Sequence, residues 1–584
     1  MTTANRSNLL LRRTLFAVMG LVILCVFLFL WRLGSYSLFN VTEARQAEVA
    51  RQIWVRQDWV TPVYNGKFYF DKPILLHWLI ALGFPIFGVG EWAVRLPSAI
   101  SAIALVLSTW LFTVRFATQR MALLAATMIA ANPFTFALGR TGQHDMLLVF
   151  FMTAALYCWY WAYSTRQKVG YLLFFGLLAF AVLAKGPLAL ILSGLIIGIF
   201  LVWVNRWQKQ LTSVPWGWGI LIFAGITLPW HLLAFQANGW YFINSFFVFS
   251  NVTRFVSVNQ NQAGPWYYYL LCVAIGFFPW LVLIPSAINW QSLRQWLRLD
   301  YWRQQDSNQQ VSLFMGIWFV TVLVFMSAAA TKLLWYVYPG IPALAYLCAQ
   351  AWEQQISEPK RSLKFCLGFI SLVYALLAVG FTLVPHLVDQ PFLQTAEITQ
   401  IIWQWFLLYS LATVAIAISL IRVQPLWAWL VGVGTFSLFA LTVVDPLLPT
   451  LDGQVLGGRL IPVAQALQQE ICEECDRDLP AALGVTWPSL NFYSQINRIE
   501  RFKKPCETQM QLKRDQRLLL VTTDEEMQRA NLDLSDYQPT YVSDVFKLFI
   551  IPPDDDLAQR QCLFNQSKSL LKPKSDNTLM QSLD

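Results

Sequence analysis

Long apolar runs recur through the first three quarters of this chain, and they constrain its fold more than any other feature. About 20 apolar residues in succession are enough to cross a bilayer as a helix, and such runs follow one another from residue 14 to about 446. Only 13% of the 584 residues are charged, against about 25% in a soluble domain. The sequence therefore predicts an α-helical polytopic membrane protein.

We predict thirteen transmembrane helices, at approximately 14–32, 95–115, 121–139, 145–164, 171–185, 187–204, 217–237, 265–286, 311–329, 333–352, 364–385, 401–421 and 425–445. The shorter apolar segment 74–88 contains Pro85 and is predicted to lie along the outer interface. With the N-terminus in the cytoplasm, every cytoplasmic segment is basic, as the positive-inside rule requires. This rule also accounts for the net charge of +9, so we predict membrane lipids and no nucleic acid as partners.

The composition changes after residue 446. Strand-like segments at 481–485, 518–521 and 545–551 alternate with polar helical patterns at 459–470 and 524–530, which is typical of a small α/β domain. We predict a membrane domain over 1–446 with external loops at 34–94, 140–145 and 238–264, then a periplasmic α/β domain over 447–566 and a disordered tail over 567–584. No GxGxxG, Walker or kinase pattern indicates nucleotide binding in this domain.

The nine cysteines fall into two groups. Five lie in or beside apolar spans and are predicted to pack as small hydrophobes: Cys25, Cys158, Cys272, Cys348 and Cys366. Four lie in the polar C-terminal part and could form two disulfides, with three alternative pairings: Cys472, Cys475, Cys506 and Cys562. Cys472 and Cys475 have no second close pair, so we do not predict a zinc site.

Charged residues gather on the predicted external face and are almost absent from the middle of the spans. They are Glu43, Arg45, Glu48, Asp71, Lys72, Arg140, Asp145, Lys185, Arg254 and Lys332, the last in a turn that continues to Tyr336. A secondary transporter would place such groups near the bilayer midplane. Arginine and lysine bind phosphate, and a carboxylate can accept a proton from an attacking hydroxyl. The combination favours an enzyme that uses a phosphate-linked donor at the outer surface.

Simpler structural roles compete at several of these positions. Arg45 and Glu48 have the spacing of an i,i+3 pair on a helix, Lys185 could snorkel to the interface, and Asp145 could cap its helix. None of the four histidines has metal-ligand spacing, so we interpret all of them as structural or incidental: His77, His144, His231 and His386.

The order of short motifs along the chain resembles the ArnT and protein-O-mannosyltransferase group of GT-C glycosyltransferases. The motifs are Glu43–x–Arg45–x–Ala47–Glu48, Asp58–Trp59–Val60–Thr61–Pro62, Asn65–Gly66, Phe70–Asp71–Lys72–Pro73, Arg95–Leu96–Pro97–Ser98, Ala137–Leu138–Gly139–Arg140, Asp145–Met146, Lys185–Gly186–Pro187, Leu228–Pro229–Trp230, Arg254–Phe255, Pro265–Trp266–Tyr267–Tyr268 and Phe278–Pro279–Trp280. This resemblance implies an inverting sugar transferase in the bacterial inner membrane. The expected donor is an undecaprenyl-phosphate-linked sugar, and the expected acceptor is a lipid or glycan on the periplasmic face.

The resemblance also implies roles for particular residues. The positions expected to contact the donor phosphate are Arg45, Lys72, Lys185, Arg254 and Tyr336. Glu43 or Asp145 is expected to activate the acceptor. Asp71 matches an acid that has been linked with a divalent metal in this group, which makes it a candidate metal ligand.

Two positions depart from the group's pattern. The first loop usually begins with an Asp–Glu pair, and Thr42 occupies the place of that first acid here. A Glu–His pair often precedes the arginine at 254, where this chain has Phe249, Ser250 and Asn251. Three functions therefore stay open: transfer to a lipid, transfer to a protein, and a non-catalytic binder or flippase of lipid-linked sugars.

Overall fold

The computed structural model describes residues 3–253, 263–287, 298–452, 457–471, 478–485, 487–502, 517–530, 532, 534–543 and 545–552. The chain divides into two compact units. The membrane unit comprises Met1–Ser37, Val49–Val63 and Phe68–Leu451, and the C-terminal unit comprises Leu38–Glu48, Tyr64–Lys67 and Asp452–Asp584. Two pieces of the first polar loop thus belong to the C-terminal unit.

Helices make up nearly all of the described chain up to residue 452. The α-helices are α1 Thr3–Phe29, α2 Glu43–Arg56, α3 Leu75–Phe87, α4 Glu91–Phe116, α5 Gln119–Ala130, α6 Pro133–Gly139, α7 His144–Thr165, α8 Lys168–Lys185, α9 Leu188–Trp203, α10 Trp207–Ser213, α11 Trp216–Ile243, α12 Tyr268–Gly276, α13 Ile284–Ala287, α14 Leu299–Gln304, α15 Val311–Ala328, α16 Ile341–Ser357, α17 Arg361–Leu387, α18 Ala396–Arg422, α19 Pro425–Thr442 and α20 Leu448–Asp452. Short 3-10 helices lie at Trp280–Leu283, Leu334–Gly340 and Pro391–Gln394, and π-helical turns at Asn244–Thr253 and Val443–Leu447. Two short strands, β1 Val63–Tyr64 and β2 Lys67–Phe68, interrupt the helical pattern.

Each of the thirteen predicted spans coincides with a helix or a pair of helices, and the prediction of a helical polytopic fold is confirmed. Among the described residues, eight helices are long and apolar enough to cross a membrane, or up to ten if each of two bent pairs forms one span. The bent pairs are α5 with α6, at 59°, and α12 with the following helical turns, at 98°. Thr14–Phe29 and α9 are apolar but shorter. The count of thirteen therefore stays a prediction.

Apolar side chains cover the outer surface of the long helices. Phe365 and Leu376 of α17 are 81% and 62% exposed, and Ile421 of α18 is 78% exposed. Exposed apolar area on this scale is unfavourable in water and is the surface that lipid chains would cover. The chemistry of these helix faces agrees with a membrane location.

The interior of the membrane unit is packed largely by aromatic rings and small residues. Phe112 of α4 stacks on Tyr157 of α7 with ring centroids 4.2 Å apart, and Trp159 stacks on Tyr163. Small residues allow helices to approach closely where apolar burial from water is not available as a driving force. Gly170, for example, lies so close to α7 that an added Cβ would meet the Cys158 carbonyl oxygen at 2.9 Å.

The C-terminal unit contains a five-stranded mixed sheet. Its strands are β3 Asp478–Leu483, β4 Glu500–Phe502, β5 Arg517–Thr523, β6 Tyr541–Val542 and β7 Phe546–Ile551. The order is β4-β3-β5-β7-β6, with β3 parallel to β4 and β5, and β7 antiparallel to β5 and β6. The helices α21 Ile461–Glu470, α22 Pro488–Ser494 and α23 Asp524–Ala530 accompany it. The predicted small α/β domain is confirmed as a fold; its placement in the periplasm stays a prediction.

Both faces of this sheet are buried. Successive residues of a strand point to opposite faces, and β5 accordingly sends Leu519 and Val521 into one apolar cluster and Leu518 and Leu520 into another. The first cluster includes Leu467 of α21. This explains why the segment 518–521 is a continuous apolar run in the sequence.

The two groups of cysteines have different outcomes. Cys25, Cys272, Cys348 and Cys366 are buried free thiols and Cys158 is partly buried, which confirms that they pack as small hydrophobes. Cys472, Cys475, Cys506 and Cys562 lie outside the described residues, as does the predicted tail over 567–584.

Candidate active site

In the membrane unit, the start of α7 meets the end of α8. Asp145 lies in the first turn of α7, whose N-cap is Gln143, so the alternative of Asp145 as the N-cap is wrong. Lys185 is the last residue of α8, and its Nζ lies 2.5 Å from Oδ1 of Asp145. Their side chains are only 10% and 16% exposed, so Lys185 does not snorkel outward.

Tyr336 lies next to the Lys185–Asp145 pair. It lies in the 3-10 helix Leu334–Gly340, and the ammonium group of Lys185 is 4.8 Å from the centroid of its ring. A cation at this distance from an aromatic face is attracted to the ring electrons. Three residues predicted from far-separated motifs are therefore brought together: Asp145, Lys185 and Tyr336.

Two histidines link this pair to the Asp71–Lys72 segment. The Nδ1 of His144 lies 2.9 Å from the carbonyl oxygen of Ala184, and its ring packs edge-on against His77, with centroids 5.1 Å apart. The sequence thus predicted the charged residues of this cluster but missed the histidines, which lack metal-ligand spacing.

The Asp71–Lys72 segment leads directly into α3, which carries His77. The Tyr69 hydroxyl donates to Oδ2 of Asp71 at 3.4 Å, and the Tyr69 ring lies edge-on to His77 at 6.3 Å. His77 is completely buried. That burial, with the nearby His144, lowers the pKa of His77 well below its usual range, so its ring is neutral at pH 7.

The candidate residues of the first loop, Glu43 and Arg45, lie in the C-terminal unit. Glu43 opens α2 and is fully buried, and its Oε2 accepts a hydrogen bond from the Phe39 N–H at 3.0 Å. The Arg45 guanidinium lies 5.7 Å from the centroid of the Tyr64 ring. Within the described part of the chain, the buried Nε of Arg45 has no hydrogen-bond acceptor.

The remaining candidates are Arg254, predicted to contact the donor phosphate, and Asp71, a candidate metal ligand. Arg254 lies outside the described residues. Among those that are described, no three His, Cys, Asp or Glu side chains are grouped closely enough to hold a metal ion. Asp71 is therefore not part of such a group among these residues, and no step proposed below uses a metal.

The membrane unit with this polar cluster has the fold of a GT-C membrane glycosyltransferase. The structure of ArnT from Cupriavidus metallidurans bound to undecaprenyl phosphate superposes with a TM-score of 0.74 at 21% identity, over 92% of this chain and 98% of that one. A likeness at this level of identity establishes the fold. The chain is ArnT-like, and the resemblance predicted from its motifs is confirmed.

Sequence comparison gives the same result. The chain is 30% identical over 373 residues to the undecaprenyl phosphate-alpha-4-amino-4-deoxy-L-arabinose arabinosyl transferase of Shewanella sediminis, over 61% of this chain and 64% of that relative, which is less than two thirds of its length. The protein of the same name from Pectobacterium atrosepticum is 29% identical over 70% of this chain and 72% of its own. Residues 71–232 match the family model described as dolichyl-phosphate-mannose-protein mannosyltransferase.

Proposed function

We propose that this chain is an inverting glycosyltransferase of the bacterial inner membrane. It transfers a sugar from an undecaprenyl-phosphate donor to a lipid A-like or glycan acceptor on the periplasmic face. The observation that carries the proposal is the buried contact of Lys185 with Asp145 and Tyr336. The ring contacts of His144, His77 and Tyr69, and the Tyr69–Asp71 hydrogen bond, connect this contact to the segment that carries Lys72. Two lysines offer charge to a phosphate, and the carboxylates offer a base.

The names of the relatives support a particular donor. The Shewanella and Pectobacterium proteins are named as transferases of 4-amino-4-deoxy-L-arabinose from undecaprenyl phosphate, and the ArnT structure was determined with undecaprenyl phosphate bound. We therefore propose undecaprenyl phosphate-4-amino-4-deoxy-L-arabinose as the first donor to test. The motif resemblance makes lipid A the first acceptor to test.

The reaction needs one base and several cations. An acceptor hydroxyl attacks the anomeric carbon, the bond from that carbon to the phosphate oxygen breaks, and the bonding electron pair leaves with the polyprenyl phosphate. The hydroxyl proton passes to a carboxylate. Because the leaving phosphate gains negative charge during this step, cations at Lys72 and Lys185 stabilise the transition state more than the bound donor.

Asp145 is the favoured base over Glu43. The Glu43 carboxylate is fully buried and already accepts the Phe39 N–H, whereas the side chain of Asp145 keeps 16% exposure to an approaching acceptor. Asp145 is held by Lys185. A donor phosphate that attracts Lys185 would free the Asp145 carboxylate, so donor binding and base activation would occur together.

Arg45 and Arg254 are the two arginines that the resemblance assigns to the donor phosphate. The Nε of Arg45, which has no acceptor among the described residues, is a buried donor of the kind that a phosphate oxygen satisfies. Arg254 is assigned from the resemblance alone.

A protein acceptor is the second candidate, because residues 71–232 match a family described as a protein mannosyltransferase. A non-catalytic binder or flippase of lipid-linked sugars is the third, because Thr42 occupies the position of the group's usual acid. Tracing a labelled sugar into lipid and protein fractions distinguishes the first two candidates. Flux across proteoliposomes without a covalent product would favour the third.

The purified protein in nanodiscs, given this donor and lipid A, should yield glycosylated lipid A by mass spectrometry. We expect Asp145→Asn and Lys185→Gln to lower kcat/KM by about 100-fold or more, the usual effect of removing a general base or a charge-stabilising group. Lys168→Gln is the matched control, because Lys168 is exposed at the other end of the same helix. Unchanged rates in both site variants would contradict the assigned roles.

A further inference from the structure

Two buried histidines connect the elements that carry Lys72 and Lys185. His144 is the residue before Asp145 and bonds to the residue before Lys185. His77 lies in the first turn of α3, shortly after Lys72 in the chain, and packs on His144. Their side chains are almost completely shielded, with His77 at 0% and His144 at 4% exposure. The pair therefore lies at the junction of α3, α7 and α8.

The bond to Ala184 fixes the end of α8. The last four carbonyl groups of an α-helix have no partner within the helix, and Ala184 is in the last turn of α8. A carbonyl oxygen only accepts, so Nδ1 of His144 carries the proton and donates it. This bond and the Lys185–Asp145 contact join the same two helix ends, and together they restrict the position of the Lys185 side chain.

The ring contacts lead to the segment that carries the other lysine, Lys72. Tyr69, His77 and His144 form a continuous edge-on series, with centroid distances of 6.3 and 5.1 Å. The Tyr69 hydroxyl also bonds to Asp71, the neighbour of Lys72. Edge-on aromatic contacts have a preferred geometry. A change in the position of the His144 ring should therefore alter the packing of His77 and Tyr69 and, through them, of the Asp71–Lys72 segment.

We propose that His77 and His144 are positioning residues that hold Lys72 and Lys185 at the separation needed to bind one phosphate group. The inference rests on the proposed function, because it assigns both lysines to the donor phosphate. Two lysine ammonium groups that bind the same phosphate repel each other before the phosphate arrives. The buried ring contact between His77 and His144 joins the elements that carry them, and binding is stronger when little has to be ordered.

The test uses full-length protein in nanodiscs and undecaprenyl phosphate as the probe, with binding measured by native mass spectrometry. His144→Asn places an amide N–H near the position of Nδ1, whereas His144→Gln places it near Nε2. We expect His144→Asn to bind within about threefold of the natural protein and His144→Gln to bind about tenfold more weakly, the effect of losing about one hydrogen bond. His77→Phe keeps an aromatic edge and should bind better than His77→Leu.

His231→Gln is the matched control. Its Nδ1 lies 2.7 Å from the Thr227 carbonyl oxygen in its own helix, so the same type of bond is lost without any effect on the lysines, and binding should not change. In transfer assays at saturating acceptor, His144→Gln should lower kcat as well as raise the KM for the donor, because the two lysines stabilise the departing phosphate more than the bound donor, whereas His144→Asn should change neither by more than about threefold.

The outcomes separate the two proposals. If the natural protein binds undecaprenyl phosphate and transfers sugar but His144→Gln binds as well as His144→Asn, the positioning role is wrong and the proposed function stands. If the natural protein neither binds the probe nor transfers sugar, both are overturned. Thermal unfolding of each variant shows whether weaker binding reflects loss of the folded state, and equal weakening by His231→Gln would also refute the inference.

Discussion

At the scale of single residues, the contact between Lys185 and Asp145 is both structural and functional. With 10% and 16% exposure, each charge loses most of its hydration and depends on the other. Removing one partner of such a pair leaves an uncompensated charge, whereas replacing both by apolar residues of similar size is often nearly neutral for stability. Stability and activity should therefore respond differently to single and double substitutions.

We expect Lys185→Met alone to lower the free energy of unfolding by about 2 kcal/mol or more. The double variant Lys185→Met/Asp145→Leu should recover most of that loss, with a coupling energy of about 1–3 kcal/mol. Activity should be lost in both variants. Unfolding midpoints in detergent and a transfer assay measure the two effects, and a double variant with the sum of the single costs would show that the pair is uncoupled.

Arg95 shows how a charged residue can serve packing in this fold. It is fully buried and donates to three backbone carbonyls after α1: Leu33 at 2.9 Å, Tyr36 at 3.0 Å and Ser37 at 2.8 Å. Its guanidinium also lies 3.9 Å from the centroid of the Tyr36 ring. Arg95 belongs to one of the motifs that carry the resemblance. The structure explains why the residue is arginine, because one planar guanidinium can donate to several carbonyl groups at once.

Arg95→Leu should lower the free energy of unfolding by about 3 kcal/mol, because three carbonyls lose a charged donor. Arg95→Lys should cost less, since an ammonium group keeps the charge but not the fork. Arg115→Leu is the matched control, an exposed arginine of the same helix, and its midpoint should hardly move. If Arg95→Leu and Arg115→Leu had the same unfolding midpoint, the hydrogen bonds of Arg95 to the three carbonyl groups would not stabilise the fold as we expect.

At the scale of elements, the turn at Asn65 and Gly66 belongs to the C-terminal unit through side-chain hydrogen bonds. The Asn65 Oδ1 accepts from Nδ2 of Asn491 at 2.9 Å and from the Ile499 N–H at 2.8 Å, and its Nδ2 donates to the Ile499 carbonyl at 3.0 Å. Both turn residues have positive φ, 50° for Asn65 and 76° for Gly66, as a tight two-residue hairpin turn requires.

Asn65→Ala should destabilise the C-terminal unit by about 2 kcal/mol, because three hydrogen bonds are lost and two of their partners are backbone groups. Asn65→Asp keeps the acceptor oxygen and should cost less. Asn205→Ala controls for backbone strain, because Asn205 is exposed and has a similar φ of 53°. Hydrogen exchange at β4 measures the effect, and equal protection in Asn65→Ala and the natural protein would refute it.

These elements also show what the sequence could and could not predict. The apolar runs predicted the helices. The strand-like segments near β3, β5 and β7, which alternate with polar helical segments, predicted the α/β fold. Both patterns are local in the sequence. The charged residues of the candidate site were found from motifs. The partners of Asn65, more than 420 residues away, and the packing of His77 on His144 depend on tertiary structure that no local pattern contains.

At the scale of the whole molecule, the number of crossings decides which side each loop faces. Counting by length and composition gives eight to ten spans among the described residues, and thirteen are predicted from hydropathy and charge. The difference lies in helices that are short, bent or broken, such as α9 and the helical turns after Tyr268. Length alone does not settle these cases, because packing against neighbours and interfacial anchors also positions a helix.

Reporter fusions test the predicted topology. A fusion after Gln167 follows four predicted spans, and basic residues Arg166 and Lys168 flank it; it should be cytoplasmic by the positive-inside rule. A fusion after Arg206 follows α9 and should also be cytoplasmic if α8 and α9 both cross. Fusions after Asp389 and at the C-terminus should be periplasmic. Alkaline phosphatase, active only outside, and green fluorescent protein, fluorescent only inside, give opposite signals at each position.

Each alternative topology gives a different pattern of signals. If α3 crosses the membrane instead of lying along it, the sides of all later fusions reverse while the N-terminus stays inside. If α9 does not cross, the fusion after Arg206 changes side but the fusion after Gln167 does not. A cytoplasmic C-terminus would separate the C-terminal unit from a periplasmic acceptor, so this one result would contradict both the predicted topology and the proposed location of sugar transfer.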